Sequence, residues 1–239
     1  MNKKFILFIV EGTNDKREID ALLHTKYFTE YREKYEPYFW TKGGDVTASN
    51  GVTSKNIQQK LNDIVLDFRK NGVPYSNIKV QDIQEIVQIV DLDGTFIPQN
   101  RIIRGDNSSF MYTDENIITS NVDGARGRNK KKAEILNKLV QIQQIGNVPY
   151  SIYFASCNMD HLLFGIRTSA PNDKNTFAFN FRMMCQNHPE KLNESVFMPG
   201  IAANGTYEES WEMIRNDCES LHRHTNINMF FGNNSKNIK

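Results

Sequence analysis

Cysteine is scarce in this chain: only three occur in 239 residues, and no two are close enough to form a CxxC pair. Cys157, Cys185 and Cys218 are odd in number and widely spaced, which excludes a disulfide framework or a cysteine-built zinc site. They read as reduced thiols of a cytoplasmic protein. Long apolar runs are missing too. The longest, Phe5-Ile6-Leu7-Phe8-Ile9-Val10, falls far short of the roughly 20 residues that span a bilayer, so no membrane partner is expected. Met1-Asn2-Lys3-Lys4 ahead of it imitates a signal peptide, but Glu11 and Asp15 interrupt the apolar region and no small-residue cleavage site follows. No Gly-rich loop ends in Lys-Ser or Lys-Thr, so the chain carries no phosphate loop of an ATPase. Net charge is only +1, and the overall balance neither selects nor rejects a polyanionic partner. No repeat or linker is visible, and the reading is one domain over residues 1–231 with a disordered tail over 232–239.

Acidic residues placed at strand ends are what the sequence does have. Glu11 ends the run Phe5–Val10 and is followed by Gly12; Asp91 and Asp93 end the run Ile86-Val87-Gln88-Ile89-Val90 and are followed by Gly94. Short β-branched runs of this kind read as buried strands of a parallel sheet. Ligands bind in the crevice beyond the carboxyl ends of such strands. Carboxylates aimed there from two strands repel one another unless a cation such as Mg²⁺ lies between them.

Between these strands, Thr13-Asn14-Asp15 caps a helix over 16–24, Phe39–Lys42 forms a short strand before Gly43-Gly44, and apolar residues at helical spacing predict a helix over 54–70 that Asn71-Gly72 terminates. The order β-α-β-α-β implies a parallel sheet. Further on, Glu115–Thr119 reads as a short strand, Gly124–Lys132 as a basic loop, and 130–144 as a helix. Tyr150–Ala155 reads as a strand, 160–166 and 206–222 as helices, and Asn226–Phe231 as a last strand.

Glu11-Gly12-Thr13-Asn14-Asp15 resembles the first motif of the Toprim family, and Asp91-Leu92-Asp93 resembles its second, Asp-x-Asp. Gly43-Gly44 stands where that family places a glycine turn, so the resemblance covers about residues 4–97. It implies an α/β, mostly parallel sheet flanked by helices, with insertions, a further core strand near 150–155 and a C-terminal helical extension. It also implies a nuclease that cleaves DNA or RNA with Mg²⁺ or Mn²⁺, one ion or two. Glu11, Asp91 and Asp93 would be its catalytic and metal-binding residues. Ser156-Cys157-Asn158-Met159-Asp160 is similar to the Ser-x-x-x-Glu of nucleases of the overcoming-lysogenization-defect type and of phage-defence relatives, with Asp for Glu. That makes Asp160 a fourth metal ligand; the alternative is a helix N-cap. Asp15 is open in the same way, as a metal ligand or a cap. The resemblance to standalone Toprim proteins of phage defence further implies an ATPase partner and leaves a homo-oligomer open.

Two other readings remain. Val90-Asp91-Leu92-Asp93-Gly94-Thr95 matches the first motif of haloacid-dehalogenase-type phosphatases, with Asp91 as nucleophile, Ile117–Asn121 as a second motif and Lys130–Lys132 as a third. That motif normally opens its fold, whereas about 85 residues precede it here, and the later paired acids are absent. A non-catalytic nucleic-acid- or protein-binding module is the other. Arg126, Arg128, Lys130, Lys131 and Lys132 read as phosphate contacts or as a solvated face. The five histidines are scattered; His222 and His224 lack the spacing of a helical metal pair.

Overall fold

A computed structural model describes residues 3–72, 77–106, 109–167 and 171–234. Its centre is a five-stranded sheet of β1 (Lys4–Ile9), β2 (Tyr35–Trp40), β3 (Ile83–Asp91), β7 (Gln144–Ile145) and β8 (Val148–Ala155), in the spatial order β2-β1-β3-β8-β7. Every pairing is parallel except that of β7 with β8. Side chains alternate across the sheet, as the pleat requires. Leu7 and Ile9, with Ile86, Val90, Ile152 and Phe154, face α3 (Ile57–Asn71), α4 (Val122–Val140) and Trp211 of α7 (Tyr207–Met213). Ile6, Phe8 and Val10, with Val87, Ile89 and Tyr153, face the other layer. That layer holds α1 (Thr13–Leu23), α2 (Thr29–Lys34), α5 (Met159–Phe164), α6 (Pro171–Asn187) and α8 (Ile227–Asn234). The architecture is therefore α/β, a mostly parallel sheet with helices on both faces. A small second sheet of β4 (Ile102–Arg104), β5 (Met111–Tyr112) and β6 (Ile117–Thr119), ordered β4-β6-β5, covers the start of α4 through Ile102, Ile117 and Ala125. Among the described residues no helix is long and apolar enough to cross a membrane.

Several boundaries differ from expectation, each for a visible reason. The basic segment 124–132 is helix, not loop. The side chain of Asn121 accepts the Gly124 N–H at 3.0 Å and starts α4 well before residue 130. Two glycines in the first turns are tolerated because Ala125, Asn129 and Lys132 continue a buried stripe into Ile135, Leu136 and Leu139. Asn226–Phe231 is not a strand: Ile227, Phe230 and Phe231 are buried at i, i+3 and i+4, the signature of a helix face. Gly232 to Asn234 complete that helix, and the rest of the expected tail, 235–239, lies outside the described residues. The short strand expected at 39–42 begins earlier, at Tyr35. Helix 206–222 stops at Met213, and a 3₁₀ turn, Glu219–Leu221, follows. Gly72 ends α3 as its C-cap at φ −67°, in extended rather than left-handed backbone.

Thr206 carries a capping box: its hydroxyl accepts the Glu209 N–H at 3.2 Å, while Glu209 accepts the Thr206 N–H at 2.7 Å. Thr206→Ala is expected to lower stability by about 1 kcal/mol. A shift of the urea midpoint at constant slope checks it.

Candidate functional site

Glu11 follows β1, and Asp91 is the last residue of the adjacent β3. Although 80 residues apart, the two meet: the Asp91 N–H donates to Glu11 Oε1 at 3.0 Å. Asp91 Oδ1 accepts the Met159 N–H at 2.9 Å, which ties it to the start of α5. Beyond it the chain turns sharply. Asp93 and Gly94 lie at φ +51° and +66°, and the Asp93 N–H donates to Cys157 O at 2.6 Å. A Cβ on Gly94 would stand 2.6 Å from Leu221 Cδ2 and 3.0 Å from Ile117 Cδ1, so both conformation and space demand glycine there. The turn aims the Asp93 carboxylate back toward Glu11.

At the centre of these acids lies Lys132, only 1% exposed. Its Nζ sits 2.8 Å from Asp45 Oδ2, 3.0 Å from Asp93 Oδ2 and 3.8 Å from Glu11 Oε1. Burial alone would lower the pKa of this amine, but Asp93, Glu11 and Asp45 outweigh it and hold the ammonium well above its ordinary pKa. Burial likewise raises Glu11 well above a normal carboxyl; Lys132 opposes the rise, and Asp45 and Asp93 add to it. Asp91 is raised well above normal by burial, with Glu11, Asp15 and Asp93 adding to it. Asp45 moves the other way: burial pushes it up, but Lys132 and hydrogen bonds from Thr47 bring it below the usual value.

A second acidic group adjoins the first. Asp15 accepts the Gly12 N–H at 2.8 Å, closing the first turn of α1. It therefore does act within the cap, from the third helical position, with Gly12 as the N-cap residue. Asp160 lies in the first turn of α5, whose N-cap is Asn158, so the cap role expected of Asp160 belongs to its neighbour. Asp160 Oδ2 is 3.3 Å from Lys174 Nζ. Asp15, and with it Glu18, is raised by burial and by its acidic neighbours, Asp160 among them. A cleft of about 660 Å³ links the two groups; Glu11, Asp15, Asp45 and Asp91 line it, with Arg17 and Lys174 at its edge. A larger cleft, about 1020 Å³, is lined by residues of α2 and the end of α8 and holds none of these acids.

The expected basic patch is dispersed by helical geometry. Lys132 turns inward. Arg128, one helical turn earlier, donates to Asp93 O at 2.9 Å and to the Tyr112 hydroxyl at 3.1 Å, and lies over the Phe110 ring. Arg126 donates to Gln99 O and Lys131 to Ser49 O, while Lys130 is exposed. Ile117–Asn121, the candidate second phosphatase motif, begins in the separate small sheet, not beside β3. Asp45, Glu18 and Lys174 were not singled out in the sequence. Asp45 carried a signal, since it follows Gly43-Gly44 at the end of a third parallel strand, β2.

The donor set suits a hard divalent cation. It is all carboxylate oxygen, and Lys132 and Lys174 are outnumbered by the acids around them. Glu11, Asp45 and Asp93 gather around the Lys132 ammonium, and among the described residues the strand-end acids do not close into a ready-made group of three ligand atoms. No protein-family model, curated protein or solved structure matches the chain.

Proposed function

We propose that the protein is a Mg²⁺-dependent phosphodiesterase that cleaves DNA or RNA, with a Toprim-like arrangement of β1, β2, β3 and β8. The observation that carries this reading is the hydrogen bond from the Asp91 N–H to Glu11, which joins two acidic motifs from neighbouring parallel strands at one point. Asp91, Asp93 and Glu11 would hold the ion, and Asp15 and Asp160 would serve a second one. Bound there, Mg²⁺ supplies charge neutralisation for a phosphate and a more acidic water.

The chain's own residues then have separate tasks. Glu11, its carboxyl raised well above the ordinary value by burial, is suited to hold a proton and act as an acid or base. Lys132 neutralises Asp45 and Asp93 and keeps the crowded carboxylates compact. Arg128 fixes the Asp93 turn through its carbonyl. Arg17, Lys174 and exposed Lys130 provide positive charge near the cleft or on α4 for a polyanionic backbone. An ATPase partner and work in phage defence follow from the same resemblance and belong to the proposal. The phosphatase reading keeps one specific support, the Lys132–Asp93 contact.

The test incubates the full chain with Mg²⁺ or Mn²⁺ and plasmid, single-stranded DNA or tRNA, and in parallel with a chromogenic phosphate monoester. Polymer cleavage that falls by ~10²-fold or more in Glu11→Ala is the expected result. Monoester turnover indifferent to Glu11 but lost in Asp91→Asn would overturn the nuclease in favour of the phosphatase. Inactivity in both arms, with and without candidate ATPase partners, would favour a binding module.

A further inference from the structure

Glu219, His222 and His224 lie between α7 and α8 and take no part in the acidic cleft. Read as sequence, the two histidines have the wrong spacing for a helical metal pair, but the backbone there is not α-helical. Glu219–Leu221 is a 3₁₀ turn, on which residues i and i+3 eclipse, so Glu219 and His222 share one side. His222 then adopts extended backbone, φ −77° and ψ 165°. The His224 N–H then donates to His222 O at 3.1 Å, a three-residue turn that brings His224 back alongside. His224 Nε2 lies 2.8 Å and His222 Nδ1 3.4 Å from the same Glu219 Oε2. One ligand atom from each residue lies within 4.8 Å of the other two, and among the described residues no other trio of His, Cys, Asp or Glu is so placed.

The backbone beneath is fixed independently of these side chains. Ser156, just past β8, donates its N–H to His224 O at 2.9 Å and its hydroxyl to Glu219 O at 3.2 Å. Thr225 is held from both sides: its N–H donates to Ile201 O at 2.9 Å, and Ala203 N donates to its carbonyl at 2.7 Å. The side chains stay between 21% and 38% exposed, so an ion can enter. An ordinary ion pair would need one imidazole, whereas here two converge on one carboxylate oxygen.

We infer that Glu219, His222 and His224 bind a transition-metal ion of the Zn²⁺ type through two imidazole nitrogens and one carboxylate oxygen, with water completing the shell. Imidazole suits Zn²⁺, Ni²⁺ and Cu²⁺, whereas Mg²⁺ prefers oxygen, so this site is chemically distinct from the strand-end acids. The ion clamps the ends of a short segment whose middle supports the acidic turn. Leu221 closes over Gly94, and Ser220 Oγ accepts the Phe96 N–H at 3.2 Å.

The test strips the full chain with chelator and titrates it with Zn²⁺ in excess Mg²⁺ by calorimetry, with Co²⁺ absorption and Cu²⁺ paramagnetic resonance as probes of the ligands. Expected are one tightly bound equivalent, nitrogen hyperfine structure from imidazole, and a rise in melting temperature with Zn²⁺. His224→Ala or Glu219→Gln should weaken binding by at least ~10-fold, the lower bound set by losses in the outer shell of known zinc sites. Glu11→Gln and His188→Ala should leave it unchanged. The inference falls if no stoichiometric Zn²⁺ binds the wild-type chain, or if binding survives His224→Ala and is lost in Glu11→Gln. The wild-type spectra decide the matter should a variant fail to fold, and none of these readouts depends on cleavage activity.

Discussion

Lys132→Met is expected to lower stability at pH 7 by about 3–5 kcal/mol, the cost of leaving buried charge without its partner. The side chain would fit, because methionine is of similar length and apolar, so the loss isolates the charge. In the native chain the ammonium stands within 3.0 Å of both Asp45 and Asp93 and is 1% exposed. Without it, Glu11, Asp45 and Asp93 face one another with no cation: the carboxyl of Glu11, already raised, rises further, and Asp45 loses the contact that holds it below its usual value. A carboxyl raised in the fold binds more protons there than in the unfolded chain, so stability grows as pH falls and is lost as pH rises. The defect of Lys132→Met should therefore shrink toward pH 5. Mg²⁺ should also offset it, because an ion that binds only the folded variant stabilises it by mass action. Urea unfolding at pH 5 and pH 7.5, with chelator or with Mg²⁺, measures both effects. A variant as stable as the parent at pH 7.5 in chelator would show that Lys132 does not hold these acids together.

That centre was only half legible in the sequence. Glu11, Asp91 and Asp93 could be found because a strand end is a local signal, an apolar run that stops at an acid and a glycine. Lys132 could not be told from Lys130 and Lys131 as members of a charge run. What separates it is phase: it falls on the stripe of Ala125, Asn129, Ile135, Leu136 and Leu139, which becomes visible once α4 is known to start near Asn121. The glycines at 124 and 127 hid that start, since a helix cap and a buried face outweigh their intrinsic cost. Asn226–Phe231 was ambiguous by construction. Polar and apolar residues alternate at first, as in a strand, yet Ile227, Phe230 and Phe231 also fit one helix face, and tertiary packing chose the latter. The Glu219–His222–His224 group was hidden because its spacing has meaning only on a 3₁₀ turn followed by the tight turn that the His224 N–H closes onto His222 O.

Glu18→Gln should stabilise the protein in proportion to pH. Glu18 sits on the buried face of α1 at 1% exposure, and among the described residues neither carboxyl oxygen finds a hydrogen-bond partner. Burial, then Asp15 and Asp160, push its pKa from 4.5 to about 9, with only Lys174 opposing. The folded chain thus keeps a proton that the unfolded chain surrenders above about pH 4.5, so stability falls as pH rises through the interval up to about 9. Each pH step of one within that interval is worth about 1.4 kcal/mol, which puts the loss between roughly pH 5 and pH 8 at about 4 kcal/mol. Glutamine has the shape of the protonated acid and no proton to lose. The variant should match the parent near pH 4.5 and exceed it increasingly toward pH 8 in chelator. Mg²⁺ should narrow the gap by stabilising the parent more than the variant, because an ion near Asp15 and Asp160 gains the Glu18 carboxylate as a neighbour. Unfolding free energies across this pH range, with chelator and with Mg²⁺, check the slope and its narrowing. A gap that stays flat with pH would mean that Glu18 is ionised in the fold, and parallel curves with and without Mg²⁺ would remove it from the surroundings of the second ion.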